Sequence, residues 1–121
     1  MSYQPIEDYG IIGNLQTIAL IGMNGSVDWF CFPHIDSAAV FCALLDDQKG
    51  GRFVIQPTGD FDAISEYLPQ TNILVTRFRN RTGIMKVTDF MPVFHEAPER
   101  DEEDRHILYR LVELEQGQME V

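Results

Sequence analysis

Apolar and polar residues alternate with a period of two over most of the chain, the period of a strand whose side chains point in turn to two faces. The clearest unit is Thr17-Ile18-Ala19-Leu20-Ile21-Gly22, then Met23-Asn24-Gly25-Ser26, then Val27-Asp28-Trp29-Phe30-Cys31-Phe32. Asn-Gly between two β-prone runs predicts a hairpin, because both residues tolerate positive φ. Val27, Trp29 and Cys31 fall on one face of the returning strand, and Asp28, Phe30 and Phe32 on the other. A strand this apolar on both sides is expected to be covered on both. Pro33, which has no N–H to donate, stops it.

Asp36 or Ser37 then caps a short helix predicted over residues 38–45, with Val40, Phe41, Leu44 and Leu45 as its apolar face and Gly50-Gly51 after its end. Residues 52–56 read as a strand closed by Pro57, and a turn-rich stretch runs to about Pro69. A second hairpin follows, with strands at 73–79 and 84–91, a turn at Asn80-Arg81-Thr82-Gly83 and a stop at Pro92. Residues 106–115 alternate as a further strand, Gln116-Gly117 turns, and 118–121 begin one more. Strands joined at short spacing with one short helix predict an all-β fold, an antiparallel β-sandwich. Two complete sheets are needed to cover a sandwich's inner faces. With its last strand cut at Val121, the sandwich is expected to be incomplete and the native domain to continue.

Composition narrows the function. At 121 residues and 45% apolar content the chain can build one real core. A net charge of −10 argues against nucleic acid and anionic membranes, which select for clustered Lys and Arg. No apolar run is long enough to span a bilayer, and Met1-Ser2-Tyr3-Gln4-Pro5 lacks the basic and apolar parts of a secretory signal; a cytoplasmic location is expected. Six of the nine residues from 96 to 104 are acidic, most simply a solvated loop, without the ligand spacing or turn glycine of a calcium loop. His34, His95 and His106 are scattered without metal-ligand spacing, so no metal or cofactor is expected. Cys31 and Cys42 sit among large apolar neighbours and read as buried thiols; whether they pair is open.

Four stretches resemble the N-terminal region of glycoside hydrolase family 15, the prokaryotic glucoamylases, glucodextranases and trehalases. They are Pro5-Ile6-Glu7-Asp8-Tyr9-Gly10-Ile11-Ile12-Gly13-Asn14, Asn24-Gly25-Ser26-Val27-Asp28-Trp29-Phe30-Cys31-Phe32-Pro33, Asp36-Ser37-Ala38-Ala39-Val40-Phe41-Cys42-Ala43-Leu44-Leu45-Asp46 and Val87-Thr88-Asp89-Phe90-Met91-Pro92. They occur in the family's order and approximate spacing. Ala38 stands where proline is usual, and His34 where arginine is common.

The resemblance implies that residues 1–121 are the N-terminal part of a β-supersandwich whose partner, a C-terminal α/α-barrel catalytic domain, is absent from this chain. It implies inverting hydrolysis of an α-glucan or trehalose by two glutamates, general acid and general base, held about 6.5–9.5 Å apart to admit a water. Both belong to the barrel, so no catalytic residue is assigned here. Pro33, Asp36 and Ser37 are candidates to line the sugar cleft; capping is the plainer role for Asp36 and Ser37. Trp29, the one tryptophan, is either core or the wall of a sugar subsite. Asp28 and Asp89 read as structural carboxylates needing partners, Asp28 from backbone N–H groups or Arg52. A module that binds carbohydrate by itself, through Tyr67 or Tyr109, and a pure interaction domain are the competing readings. An unpaired edge and an uncovered apolar face predict self-association.

Overall fold

The computed structural model describes residues 5–15, 17–31, 39–46, 48–92 and 107–121. Pro33, Asp36 and Ser37, the three histidines and the acidic run at 96–104 lie outside them. Among the described residues nine strands form two antiparallel sheets, so the fold is all-β. The first sheet orders β1 (Tyr9–Gly13), β2 (Ile18–Gly22) and β3 (Ser26–Cys31) as a meander. Two short strands share the remaining edge of β3: β4 (Ala39–Phe41) pairs Phe30 and Cys31, and β5 (Phe53–Val54) pairs Ser26 and Val27. The second sheet is a meander of β6 (Asp62–Tyr67), β7 (Leu74–Arg79), β8 (Gly83–Phe90) and β9 (Tyr109–Gly117).

Both predicted hairpins form, but the first turn works differently. Of Asn24 and Gly25, only Gly25 takes positive φ, 82°; the Asn24 side chain instead accepts the Ser26 N–H at 3.1 Å. In the second, Asn80 Oδ1 accepts from the N–H groups of Thr82 (2.9 Å) and Gly83 (3.1 Å) and from the Thr82 hydroxyl. This side-chain-to-backbone turn is the kind asparagine favours.

The helix predicted over 38–45 does not form. Residues 39–41 are strand β4, and residues 43–45 turn. The N–H of Cys42 bonds the carbonyl of Gly50 at 2.8 Å, and that of Leu44 bonds the carbonyl of Asp28 at 3.0 Å. β3 thus offers an open edge with ready acceptors, which outweighs the helical preference of Ala39, Ala43, Leu44 and Leu45; Val40, Phe41 and Cys42 between them are weak helix formers that suit a strand. Among the described residues the one helical segment is the 3-10 turn Ile6–Asp8. Residues 118–121 are not a strand either. They fold back, with Gln118 N–H on Thr82 O (3.0 Å) and Thr58 N–H on Glu120 O (2.9 Å).

Besides β4, two strands were not anticipated. In β6 the pattern is inverted: small Ala63 and Ser65 point inward opposite Phe78 and Thr76, while Ile64 points out, 71% exposed. In β1 glycines lower the β signal. Gly10 leaves room for Leu74 of the second sheet, whose Cδ2 would stand 2.6 Å from a Cβ there.

Leu74 and Met91 of the second sheet region pack with Ile12, Ala19, Ile21, Val27 and Phe30 of the first. A second cluster, Phe78, Met85 and Val87, is covered by Ile55, Phe61, Ala63 and Met119. The registers explain why Val27 and Phe30 share a face, against simple alternation. A bulge lets Ile21 face Val27 and Leu20 face Trp29, with Asp28 extra. One additional residue reverses the phase of the strand.

Tyr67 ties the sheets at the free edge of β1. Its hydroxyl accepts the Ile11 N–H and donates to the Ile11 carbonyl, both at 2.8 Å. Tyr67→Phe is expected to destabilise by about 1 kcal/mol, a typical net hydrogen-bond contribution, and to speed amide exchange at Ile11 more than at Ile12. Unchanged exchange at Ile11 would remove this tie from the fold.

Candidate functional site

Of the four residues proposed for sugar contact, the described structure places Trp29. It lies on the face of the first sheet turned away from the core cluster, in a row across three strands with Leu20 and Ile11. Trp29 and Leu20 are half-buried and Ile11 is 50% exposed. The tryptophan is therefore not part of the shared core. It sits on an outer apolar surface, brought there by the bulge.

Asp28 and Asp89 do not form an acid/base pair; each is engaged by its own partners. Buried Asp28 accepts hydrogen bonds from the hydroxyls of Tyr9 and Ser26. Asp89 is fully buried on β8 and faces Arg110 of β9 in register. Arg110 Nε donates to Asp89 Oδ1 at 2.7 Å. The rest of the guanidinium reaches the first sheet, donating to Phe53 O at 3.0 Å and to Gly25 O at 2.8 Å. It also lies 5.0 Å from the Phe53 ring centroid, within cation–π range. One planar side chain thus joins both sheets. Burial pushes the Asp89 carboxyl above its ordinary range, while the Arg110 hydrogen bond and charge pull the other way.

Cys31 and Cys42 are free thiols. Burial, with the nearby Cys42 adding to it, pushes the Cys31 thiol up, away from the thiolate form that reacts. Among the described residues, no group of three His, Cys, Asp or Glu side chains is placed to hold a metal ion.

The most open region is β9. It is the last strand of its sheet, and it carries exposed apolar residues on both faces. Register puts Val112 beside Val87 and Leu114 beside Met85, on the core side of the sheet. Yet Val112 is 44% and Leu114 55% exposed. On the opposite face Leu111 is 52% exposed, and Tyr109 stacks on Phe90 with centroids 5.2 Å apart. Further along that face, Arg77 pairs with Glu66 and Glu115, and Lys86 with Glu113. These solvated pairs contribute little stability.

The core side of β9 is thus an exposed apolar strip on an edge strand. The family comparison is decisive: a model of trehalase-like N-terminal domains matches residues 1–113. The chain belongs to this family. Among curated relatives, this trehalase-like N-terminal domain is 45% identical to a protein named trehalase from Thermoplasma volcanium, over 74% of this chain and 15% of that protein. It is 36% identical to a trehalase from Mycolicibacterium smegmatis, over 98% of this chain and 20% of that protein. To trehalase 1 of Sulfolobus acidocaldarius it is 41% identical, over 76% of this chain and 16% of that one. The domain therefore spans only a fifth or less of these relatives. No solved structure matches it.

Sequence reasoning about the trehalase-like N-terminal domain missed Arg110 and the tie made by Tyr67. Arg110 stood in an alternating run without any mark, because its partners lie 21 and 85 residues away. A buried aspartate at a strand end was the available signal, since such a group needs a cation or several donors.

Proposed function

We propose that this chain is the N-terminal β-scaffold of an inverting trehalase-type glycoside hydrolase. In this reading the catalytic acid and base belong to a separate α/α-barrel, on which the scaffold packs. The chain performs no hydrolysis by itself, and Trp29, Pro33, Asp36 and Ser37 contribute to the sugar cleft of the assembled enzyme. Trehalose is the favoured substrate, because the similar proteins are named trehalases. A glucan remains the alternative within the same family.

The observation that carries the reading is the open core side of β9. Val112 and Leu114 continue the Val87 and Met85 rows of the inner face but remain about half exposed. Burying the exposed half of each would contribute about 1 kcal/mol, so a covering element is favoured. Without one, a second copy is the nearest substitute. The purified chain is expected to sediment as a dimer or larger, and Val112→Lys with Leu114→Lys to shift it to monomer. Light scattering showing a clean monomer at high concentration would contradict the docking role. Turnover of trehalose by the chain alone, in a glucose-release assay, would contradict the placement of the catalytic pair elsewhere.

A further inference from the structure

At the far end of the second sheet from the Tyr67 tie, the start of β6 and the tip of the β7–β8 hairpin enclose an open cleft of about 630 Å³. Its walls are Asp60 and Asp62 on one side and Arg79 and Arg81 on the other, with Phe61, Asn80 and Thr82 between them. Asp62 and Arg79 are direct register partners. Even so, among the described residues none of these four charged side chains makes an ion pair or side-chain hydrogen bond. All four are exposed. The cleft therefore offers two acceptor carboxylates and two donor guanidiniums that the fold does not consume.

The frame holding them is ordered by other contacts. Asn80 closes the hairpin tip through its three accepted hydrogen bonds, which positions Arg81 beside it. Phe61 is half-buried and set edge-on against Phe78, with centroids 5.3 Å apart at 79°. The hydroxyl of Thr82 is engaged by Asn80, leaving the charged groups as the available ones.

We propose that this cleft binds a small neutral polyhydroxylated ligand, a mono- or disaccharide. The charge pattern selects the class. With Asp60 and Asp62 set against Arg79 and Arg81, the charges of the cleft cancel, and neither a simple anion nor a simple cation is favoured. A ligand that presents hydroxyls uses both signs. Each hydroxyl donates to a carboxylate and accepts from a guanidinium, in charge-assisted hydrogen bonds. The apolar C–H face of a sugar ring packs against the half-buried Phe61 ring. The cleft's size suits one or two sugar rings, within the range of small-molecule sites, and its openness limits affinity to the millimolar range. The proposal does not rest on the scaffold role: sugar binding here and docking at β9 are carried by different residues and separate readouts.

The test is a titration of the 121-residue chain followed by amide NMR, with trehalose and maltose as ligands and sulfate and calcium as controls. Saturable shifts at residues 60–62 and 79–82 with a disaccharide, and none there with either ion, are expected. Asp62→Asn and Arg81→Ala both change exposed groups. Each should weaken binding about tenfold while leaving the remaining amide spectrum in place. Absence of saturation through hundred-millimolar sugar would overturn the proposal. So would an equal response to sulfate, which marks an anion site, or undiminished binding by both variants.

Discussion

Arg110→Met is expected to cost about 3–5 kcal/mol of folding stability, the range for breaking a buried ion pair from one side. The substitution keeps much of the side chain's length but removes every donor. Asp89, at 0% exposure, would be left without its cation, and the carbonyls of Gly25 and Phe53 would each lose a partner. Urea unfolding of the chain measures the loss directly; a change below about 1 kcal/mol would mean that Arg110 does not join the sheets. Pairing the change with Asp89→Leu should recover part of the loss, because a buried pair replaced by apolar groups is often nearly neutral. Recovery should stay incomplete, since the Arg110 hydrogen bonds to the carbonyls of Gly25 and Phe53 are still lost.

The deficit of Arg110→Met should also depend on pH, with a defined sign. Burial already raises the Asp89 carboxyl pKa in the fold, and removal of the arginine takes away the groups that oppose the rise. A carboxyl with a raised folded pKa holds its proton more tightly folded than unfolded. Its contribution is full below the ordinary carboxylate value, about 3.9, and is lost as pH climbs through the raised one. The gap between variant and parent should therefore narrow as pH is lowered from neutral into the acid range. A gap that widens on acidification would assign the stabilisation to something other than the ion pair.

The second large effect is expected at the first turn. In Gly25→Ala the new Cβ would stand 1.9 Å from the Ile55 carbonyl oxygen and 3.0 Å from the Phe78 ring. The φ of 82° adds about 1–2 kcal/mol for a residue with a side chain. Overpacking against backbone adds about 1–3 kcal/mol, for a total of roughly 3 kcal/mol or more. Relaxation is obstructed because the Gly25 carbonyl already receives the Ile55 N–H at 3.0 Å and Arg110 at 2.8 Å. Any shift of the turn strains both. Thermal unfolding should fall by roughly 10 °C or more. A drop of only a degree or two would show that the turn is not locked between the sheets.

These two residues sit at one junction yet differ in how visible they were. Gly25 was marked by its place after Asn24, although its neighbour turned out to accept a hydrogen bond rather than adopt positive φ. Arg110 carried no mark. The candidate cleft is similar: Arg79, Arg81 and Asp62 are ordinary charged residues in the sequence, and only pairing of β6 with β7 brings them to one rim.

The chain's own pattern determined the all-β class and both hairpins, because strand periodicity and turn chemistry act between residues close in sequence. It also carried the family resemblance that the trehalase-like N-terminal match bears out. Only the tertiary structure decided which face of β3 is core, since a single bulged residue reverses its phase. Tertiary structure likewise decided that residues 39–41 are strand rather than helix, because the open edge of β3 supplied their partners. It made a strand of β6 despite an inverted pattern, because β7 lay alongside to pair it. The common cause is long-range hydrogen bonding and packing: a donor, an edge or a covering side chain far away in sequence changes the free energy of a segment by more than its local preference does.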